Sequence, residues 1–535
     1  MTDEHDNKLV LLLYPRFLDD MPEFPDMPLN LLCLGAYLDE KGYKVLIMDE
    51  NNWDEEVFYS KLRKHLPDAL CVGLSVMTAQ IHNGLKVSKF IKQINPNMPI
   101  IWGGKHPTLF PEQTAQNDYI DIAVKGEGEE TLLEVIKAIE NNASLEKIPG
   151  VVIHKDNQII SNPLRQFVDV NTLPPLKYEL LDIMEKFSMK EIQKIKRWGP
   201  PLLTSRGCPY RCAFCINKIL KEGIRIRKSD LVIKDLVRLK EVYGIHKIRV
   251  MDEFFFISKK RIQEIMQGIF DEGLDMKWTS TIRANCFNDN FITDDFMKDI
   301  KRAGCVDMGI GAESGSQKIL DYLKKDIKVE DIIRSAEMLS KVDIHANYSF
   351  MIGLPGETVD DIKKTLKVIY QITKIHKNIE IYGPQLFRPY PGSDLYDEVE
   401  HQLELPKRLE DWRENSLIFG DTAKIEINFP WLNVDSFNLK KLRFYGSNEN
   451  GFTQPTQYRK FRYKLMSSLL KGIIRFRVKH NFYELPLDYH LYEAMLNYKW
   501  KKRYEMLQKE VAVENLNRDT AGDILLGMHR NFKNS

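Results

Sequence analysis

Leu202-Leu-Thr-Ser-Arg-Gly-Cys208-Pro-Tyr-Arg-Cys212-Ala-Phe-Cys215 is the stretch around which the rest of the chain is organised. Its cysteines follow a Cys-x3-Cys-x2-Cys spacing, three thiols within eight residues, and open directly after a short apolar run, Pro201 to Thr204, that reads as a strand. Three thiolates on one loop can each take a different iron of a [4Fe–4S] cube. Clusters held by protein alone normally use four cysteines, and no fourth lies nearby, so one iron is left for a small molecule. Structural zinc fits poorly, because it wants four ligands, usually as two paired hooks. Incidental core thiols are the bland alternative, but those are usually scattered, whereas these cluster on a loop flanked by Pro and Gly.

Downstream, βα rhythm continues. Apolar runs at Leu202 to Ser205, Ile248 to Met251, Lys277 to Ile282, Asp307 to Ile310, His345 to Met351 and Ile381 to Phe387 give six candidate strands, and barrel sites lie at the C-terminal strand ends. The cysteine spacing, with Phe214 before the third cysteine, closely resembles the radical S-adenosylmethionine (SAM) superfamily. That resemblance implies a partial (βα)6 TIM barrel in which Cys208, Cys212 and Cys215 are the catalytic, cluster-holding residues. It implies that the open iron chelates the amino and carboxylate groups of SAM, with Tyr210 and Phe214 beside the cofactor. It further places Asp252 and Glu253 near the SAM amino group, and Arg283, Glu313, Ser314 and the Gly353-Leu354-Pro355 loop around SAM. Arg283 suits a carboxylate through its planar fork. Taken singly, Asp252, Glu253 and Arg283 read equally as solvated charges, and Glu313 as a cap for a helix beginning near Gln317. Cys286 and Cys305 have no partner at cluster spacing and read as core thiols, as do Cys33 and Cys71.

Upstream, strand-like runs (Leu9 to Tyr14, Val45 to Asp49, Ala69 to Ser75, Pro99 to Trp102, Ile122 to Lys125) alternate with helical ones (Leu29 to Lys41, Trp53 to His65, Ile81 to Ile94). This is an α/β pattern for a doubly wound, Rossmann-like domain whose ligand lies beyond the carboxyl ends of the strands. Ser75 and Thr78, Gly103-Gly104 with His106-Pro107, and Gly126-Glu127-Gly128-Glu129 all fall on that edge, where glycine permits close backbone approach. The pattern resembles the cobalamin-binding domain that precedes the barrel in one large radical SAM subclass, and the resemblance makes these residues cofactor contacts. Arg388-Pro389-Tyr390-Pro391-Gly392-Ser393 also resembles that subclass. The loop after the first strand carries no histidine, so the Asp-x-His-x-x-Gly cobalt ligand of many cobalamin domains is missing. A domain of this fold that merely packs is the alternative.

The expected organisation is a cobalamin domain over 1–145, a linker with a small hairpin over 146–200, the barrel over 201–395, and a mainly helical, substrate-related C-terminal extension over 396–535. The 535 residues carry a net charge of +1, with 29% charged and 43% hydrophobic residues, an ordinary globular balance that gives no sign of nucleic acid. Seven cysteines without a disulfide framework, and an acidic start lacking a signal peptide's pattern, predict a cytoplasmic protein. The window 458–479 bears eight Lys and Arg and no acid, interleaved with apolar residues. Such a helix either packs its apolar stripe on the barrel or lies on an anionic membrane.

Together the resemblances imply three cofactors: a [4Fe–4S] cluster, SAM and cobalamin. The implied chemistry is reductive cleavage of SAM to a 5′-deoxyadenosyl radical, then C-methylation of an unactivated carbon by way of methylcobalamin. The implied partners are a small-molecule or lipid substrate and a flavodoxin- or ferredoxin-type electron donor. Cyclisation, ring contraction or carbon–carbon coupling, on a lipid or a tetrapyrrole, are the alternatives with the same cofactors, and a non-catalytic cobalamin or Fe–S sensor is a third.

Overall fold

A computed structural model describes residues 9–17, 27–189, 191, 199–218, 223–414, 429–448 and 461–494. The chain divides into two compact units, Met1–Ser447 and Asn448–Ser535.

The first unit contains two parallel sheets. The N-terminal sheet is built from β1 (Leu9–Tyr14), β2 (Lys44–Asp49), β3 (Ala69–Ser75), β4 (Ile100–Gly103) and β5 (Ile122–Val124), interleaved with α1 (Leu29–Glu40), α2 (Glu55–His65), α3 (Ile81–Ile94) and the short α4 (Lys105–Leu109) and α5 (Pro111–Ala115); α6 (Glu129–Glu140) follows β5. Leu9 to Leu13 are all buried, as a strand covered by helices on both faces requires. The strand order β2-β1-β3-β4-β5 reverses direction beside β1, the doubly wound arrangement.

The hairpin expected in the linker becomes part of this sheet. Its strands, β6 (Val151–Lys155) and β7 (Gln158–Ser161), extend the edge beyond β5, with Ala123 opposite Val152 in an antiparallel register. The cause lies in β6 itself, whose first three residues are apolar and find burial only against β5.

The second sheet holds six parallel strands in the order β15-β14-β13-β12-β11-β8, an open partial barrel. They are β8 (Pro201–Leu202), β11 (Lys247–Val250), β12 (Lys277–Ile282), β13 (Cys305–Glu313), β14 (His345–Ile352) and β15 (Ile379–Leu386). Helices α7 (Ser229–Tyr243), α8 (Lys259–Asp271), α9 (Asp294–Arg302), α10 (Gln317–Tyr322), α11 (Val329–Val342) and α12 (Val359–Ile375) connect them, and α13 (Asp394–Val399) and α14 (Ser436–Ser447) follow. Thr358 starts α12 with a capping box, its hydroxyl accepting from the Asp361 N–H while Asp361 accepts in return.

The strand expected over Leu202 to Ser205 is interrupted. Ser205–Arg206 (β9) leaves the sheet and pairs antiparallel with Arg225–Ile226 (β10), a two-stranded ribbon with the cysteines between its arms. Asp252 forces the break by capturing the Thr204 N–H at 2.6 Å.

The second unit contains α15 (Phe461–His480). Ile474 and Val478 are buried, while Leu469, Ile473 and Phe476 are 60%, 45% and 55% exposed. Residues 458–460 of the basic window lie outside the described residues. Among the described residues, no helix is long and apolar enough to cross a membrane.

Candidate functional site

The cysteine loop is held from below. The Asp252 carboxylate, at the end of β11, accepts from the Thr204 N–H at 2.6 Å, the Thr204 hydroxyl at 2.5 Å and the Ser205 hydroxyl at 2.7 Å. Burial pushes this carboxyl up, and those hydrogen bonds oppose the shift. Arg261 adds a bond to the Thr204 carbonyl at 3.0 Å. Asp252 thus ties the residues that lead into the cysteine loop to the end of β11. Glu253 is exposed. Two further ties fix the loop: the Ala213 N–H donates to the Leu323 carbonyl, and the Leu395 N–H to the Ala213 carbonyl.

Cys212 is buried, Cys208 and Cys215 are partly so, and none is in a disulfide. Burial raises the Cys208 and Cys215 thiols, and each also feels the Cys212 sulfur, so the three lie within electrostatic reach of one another. Among the described residues, no three His, Cys, Asp or Glu side chains close around a single point as one metal ion would require. A four-iron cube makes no such demand, because it takes each thiolate on a separate iron. The other four cysteines are buried.

Strand ends of the barrel surround this loop. Arg283, just past β12, lays its guanidinium 3.6 Å from the centre of the Tyr210 ring and donates from Nη1 to Cys212 Sγ at 3.4 Å. Its Nε and Nη2 are buried without a hydrogen-bond partner, which is costly for a cation unless a ligand supplies acceptors. Glu313 closes β13 in a left-handed conformation, φ +60°, and pairs with Lys325 at 2.8 Å. Both side chains are 8% exposed, and Lys325 stands over the Phe214 ring. A β-carbon at Gly311 would fall 2.5 Å from Glu313 Oε1, so the pair requires glycine there. The helix-cap alternative for Glu313 does not hold, since its carboxylate turns to Lys325. Ser314 is wholly buried against Thr365 at 3.1 Å.

Beyond β14, Gly353 and Leu354 donate their N–H groups to Glu357 Oε2, and the Gly353 carbonyl accepts from Trp431 Nε1 at 3.0 Å. Burial lifts the Glu357 carboxyl to about 7. Leu354 packs in one apolar cluster with Ala213, Phe387 and Trp431, and Pro355 is buried. The elements therefore gather Tyr210, Phe214, Arg283, Glu313 and the 353–355 loop about the cysteines, while Asp252 binds the stem of the loop, Ser314 is buried against Thr365 and Glu253 is exposed. Lys325 and Trp431 escaped the sequence reading. Their partners lie 12 and 78 residues away, and neither belongs to a local pattern.

The second gathering lies at the carboxyl ends of β3, β4 and β5. The Ser75 hydroxyl accepts from Asn30 Nδ2, and Thr78 Oγ1 lies 3.3 Å from His106 Nδ1. His106 is fully buried, with its ring 5.1 Å from both Phe110 and Trp412 and its Nε2 without a partner. Burial lowers its pKa to about 3, so the imidazole is neutral at physiological pH. Pro107 is buried beside it. Gly103 ends β4, and Gly104 adopts φ +100°, where a β-carbon would sit 2.9 Å from the Val76 nitrogen. Gly126, φ +85°, donates its N–H to Thr108 Oγ1, and Gly128 abuts Leu34.

The acids of this motif are engaged within the protein. Glu127 accepts from Arg206, Arg225 and the Val168 N–H, and Glu129 accepts from Arg206. Burial alone would raise the Glu127 carboxyl, but the two guanidiniums outweigh it and hold it below the usual range. Gly126 and Gly128 add backbone without a side chain at the same strand end. An apolar cavity lined by Thr78, Phe110, Pro389, Tyr390, Leu405 and Trp412 lies beside this edge. Backbone glycine at two strand ends suits the close approach of a large, amide-fringed corrin, with the apolar side chains of this small cavity bordering it.

Residues 23–136 match the B12 binding domain family and residues 202–369 the radical SAM superfamily. An uncharacterized methyltransferase of Pyrococcus horikoshii, PH0819, is 32% identical over 379 residues, which span 69% of this chain and 78% of that protein. The anaerobic magnesium-protoporphyrin IX monomethyl ester cyclase of Rubrivivax gelatinosus is 23% identical over 89% of this chain and 84% of its own length. Among solved structures, the radical SAM methyltransferase TsrM from Kitasatospora setae with cobalamin and a [4Fe–4S] cluster bound superposes with a TM-score of 0.63, at 16% identity over 89% of this chain and 99% of that one. The cobalamin-dependent radical SAM enzyme OxsB, with aqua-cobalamin and SAM bound, gives 0.66 at 19% identity over 98% and 83%. These superpositions establish a shared architecture. The chain belongs to the radical SAM enzymes that carry an N-terminal B12-binding domain, a family with both methyltransferases and cyclases among its members. Its cofactors are a [4Fe–4S] cluster, SAM and cobalamin.

Proposed function

We propose that this enzyme methylates an unactivated carbon of a small organic or lipidic substrate. The observation that carries the reading is the Arg283 guanidinium, stacked on Tyr210 and bonded to Cys212, with two buried nitrogens left over. A planar fork with spare donors beside a three-thiol loop suits the carboxylate of an amino-acid cofactor.

In this reading Cys208, Cys212 and Cys215 hold the cluster, and Arg283 orients SAM through its carboxylate. Phe214 and the backbone of Gly353 to Pro355 flank the cofactor, while Glu313, anchored by Lys325, accepts from its hydroxyl or amino groups. Ser75, Thr78, Gly103, Gly104, His106 and Pro107, with the backbone at Gly126 and Gly128, receive the corrin. Bound together, the three cofactors supply a carbon-centred radical and a transferable methyl group. The protein places them and keeps water out, the latter through the apolar cluster of Phe387, Leu354 and Trp431. A functional division at 1–145, 146–200, 201–395 and 396–535 follows, with the linker hairpin serving as outer strands of the corrin domain. The half-buried Cys208 and Cys215 leave the loop approachable by a flavodoxin- or ferredoxin-type donor.

The test is anaerobic incubation with SAM and a strong reductant. Release of 5′-deoxyadenosine is expected, accompanied by S-adenosylhomocysteine when substrate is present. Deoxyadenosine without S-adenosylhomocysteine, in the presence of true substrate, would instead support the second reading. That reading is a radical cyclisation, favoured by the cyclase relative that matches 89% of this chain; absence of both products rejects either reading.

A membrane role for α15 belongs to the same proposal. Leu469, Ile473 and Phe476 are exposed at i, i+4, i+7 spacing on a helix that carries no acid. The full chain is expected to co-sediment with vesicles of phosphatidylserine but not phosphatidylcholine, and to be released by about 0.5 M salt. Equal recovery on both lipids, or on neither, removes the membrane from the account.

A further inference from the structure

Arg206 and Arg225 stand directly opposite each other across the β9–β10 ribbon, and the three cysteines lie on the loop between the two arms. Like charges in that position repel; besides the ribbon itself, Arg225 is tied to the Val168 carbonyl at 2.6 Å and the Arg227 N–H to the Thr204 carbonyl at 3.0 Å, and neither bond offsets the paired charge. Between the two arginines sits Glu127. Its Oε1 accepts from Arg206 Nη1 at 2.8 Å and from Arg225 Nη2 at 2.7 Å, and its Oε2 from Arg225 Nη1 at 3.0 Å. Glu129 takes the other terminal nitrogen of Arg206. The four side chains are between 4% and 19% exposed. The acids belong to the loop after β5, on the edge that faces the corrin, while the arginines belong to the stem of the cluster loop.

We propose that Glu127 is a positioning residue: it neutralises the arginine pair, completes the ribbon that carries the cluster loop, and fixes that loop to the corrin-binding edge. The inference rests on the corrin lying at that edge. Because Gly126 and Gly128 flank Glu127, one short loop offers bare backbone to the edge and a carboxylate to the stem of the cysteine loop. The stem of the loop is incomplete until the N-terminal domain supplies a carboxylate.

The experiment uses the full chain in two states. In the cofactor-free protein, Glu127→Gln keeps the size of the side chain and removes its charge. Amide hydrogen exchange over 205–208 and 224–227 is expected to quicken by about tenfold or more. Adding Arg225→Met to Glu127→Gln removes the opposing charge and should restore much of the protection, a suppression that simple loss of packing would not produce. In protein loaded with cobalamin and cluster, dipolar electron paramagnetic resonance between Co(II) and the reduced cluster should give one narrow separation in the wild type and a broad one in Glu127→Gln. Unchanged exchange, or failure of Arg225→Met to suppress, overturns the proposal. Loss of corrin binding in Glu127→Gln with exchange unaltered also overturns it, by making Glu127 a corrin contact. If the wild type binds no corrin while the exchange results hold, the clamp stands and the reading of the edge falls. If Glu127→Gln does not accumulate folded, the double variant decides: recovery supports the clamp, and continued failure rejects it.

Discussion

Cys212→Ala is expected to abolish 5′-deoxyadenosine formation while leaving corrin binding intact. Cys212 is the most buried of the three clustered thiols and the only one to which Arg283 donates. Removing it takes away one iron ligand of three and leaves a further guanidinium nitrogen buried without an acceptor. A cube held by two thiolates has no means of presenting a single open iron, so the loss should be complete rather than graded. The edge proposed to receive the corrin lies on the other sheet, with His106, Gly104 and Ser75, and none of these touches the loop's sulfurs. Iron analysis, chromatography of the nucleoside and the corrin absorption spectrum read the three quantities separately. Retention of deoxyadenosine release would remove the cysteine from the chemistry, and simultaneous loss of corrin would show that the two sheets do not divide the work.

Lys325→Met should cost about 3–5 kcal/mol of stability, because breaking a buried ion pair by removing one partner leaves an uncompensated charge. Glu313 has no easy retreat. Its backbone already lies in the left-handed region, its oxygen fills the space that a side chain at Gly311 would take, and its carboxylate is almost wholly out of water. Replacing both partners, as in Glu313→Leu with Lys325→Met, should recover most of the loss, since paired apolar replacements of buried ions are often neutral. Urea titration of the cofactor-free protein measures both. A single variant costing under about 1 kcal/mol would mean that Glu313 relaxes to solvent and does not anchor the end of β13.

Much of the architecture is written locally. Leu9 to Leu13, an unbroken apolar run, becomes a strand buried on both faces, and Thr358 with Asp361 spells out the start of α12 in four letters. The cysteine spacing is equally self-contained. What escaped the sequence was partner choice at long range. Nothing near Glu127 in the sequence announces its bonds to Arg206 and Arg225, 79 and 98 residues further on. Nor does anything near Asp252 announce its bonds to Thr204 and Ser205, 48 and 47 residues earlier. Both residues stand at strand ends, as expected, but a strand end has a rim and an underside, and periodicity does not say which one a carboxylate turns to.

Trp412 meets His106 edge to face, lies tilted against Phe110 and donates to Gln113, and with Leu409 it belongs to the same apolar core as Leu11, Val72 and Trp102. The first sheet is therefore finished by residues made some three hundred positions later. A chain that stops short of residue 405 leaves this flank of the first sheet bare, since Leu409 and Trp412 come from beyond the barrel. A fragment cut at the apparent boundary would keep that wound open, whereas one that carried residues 405–414 on a tether would bring its own dressing.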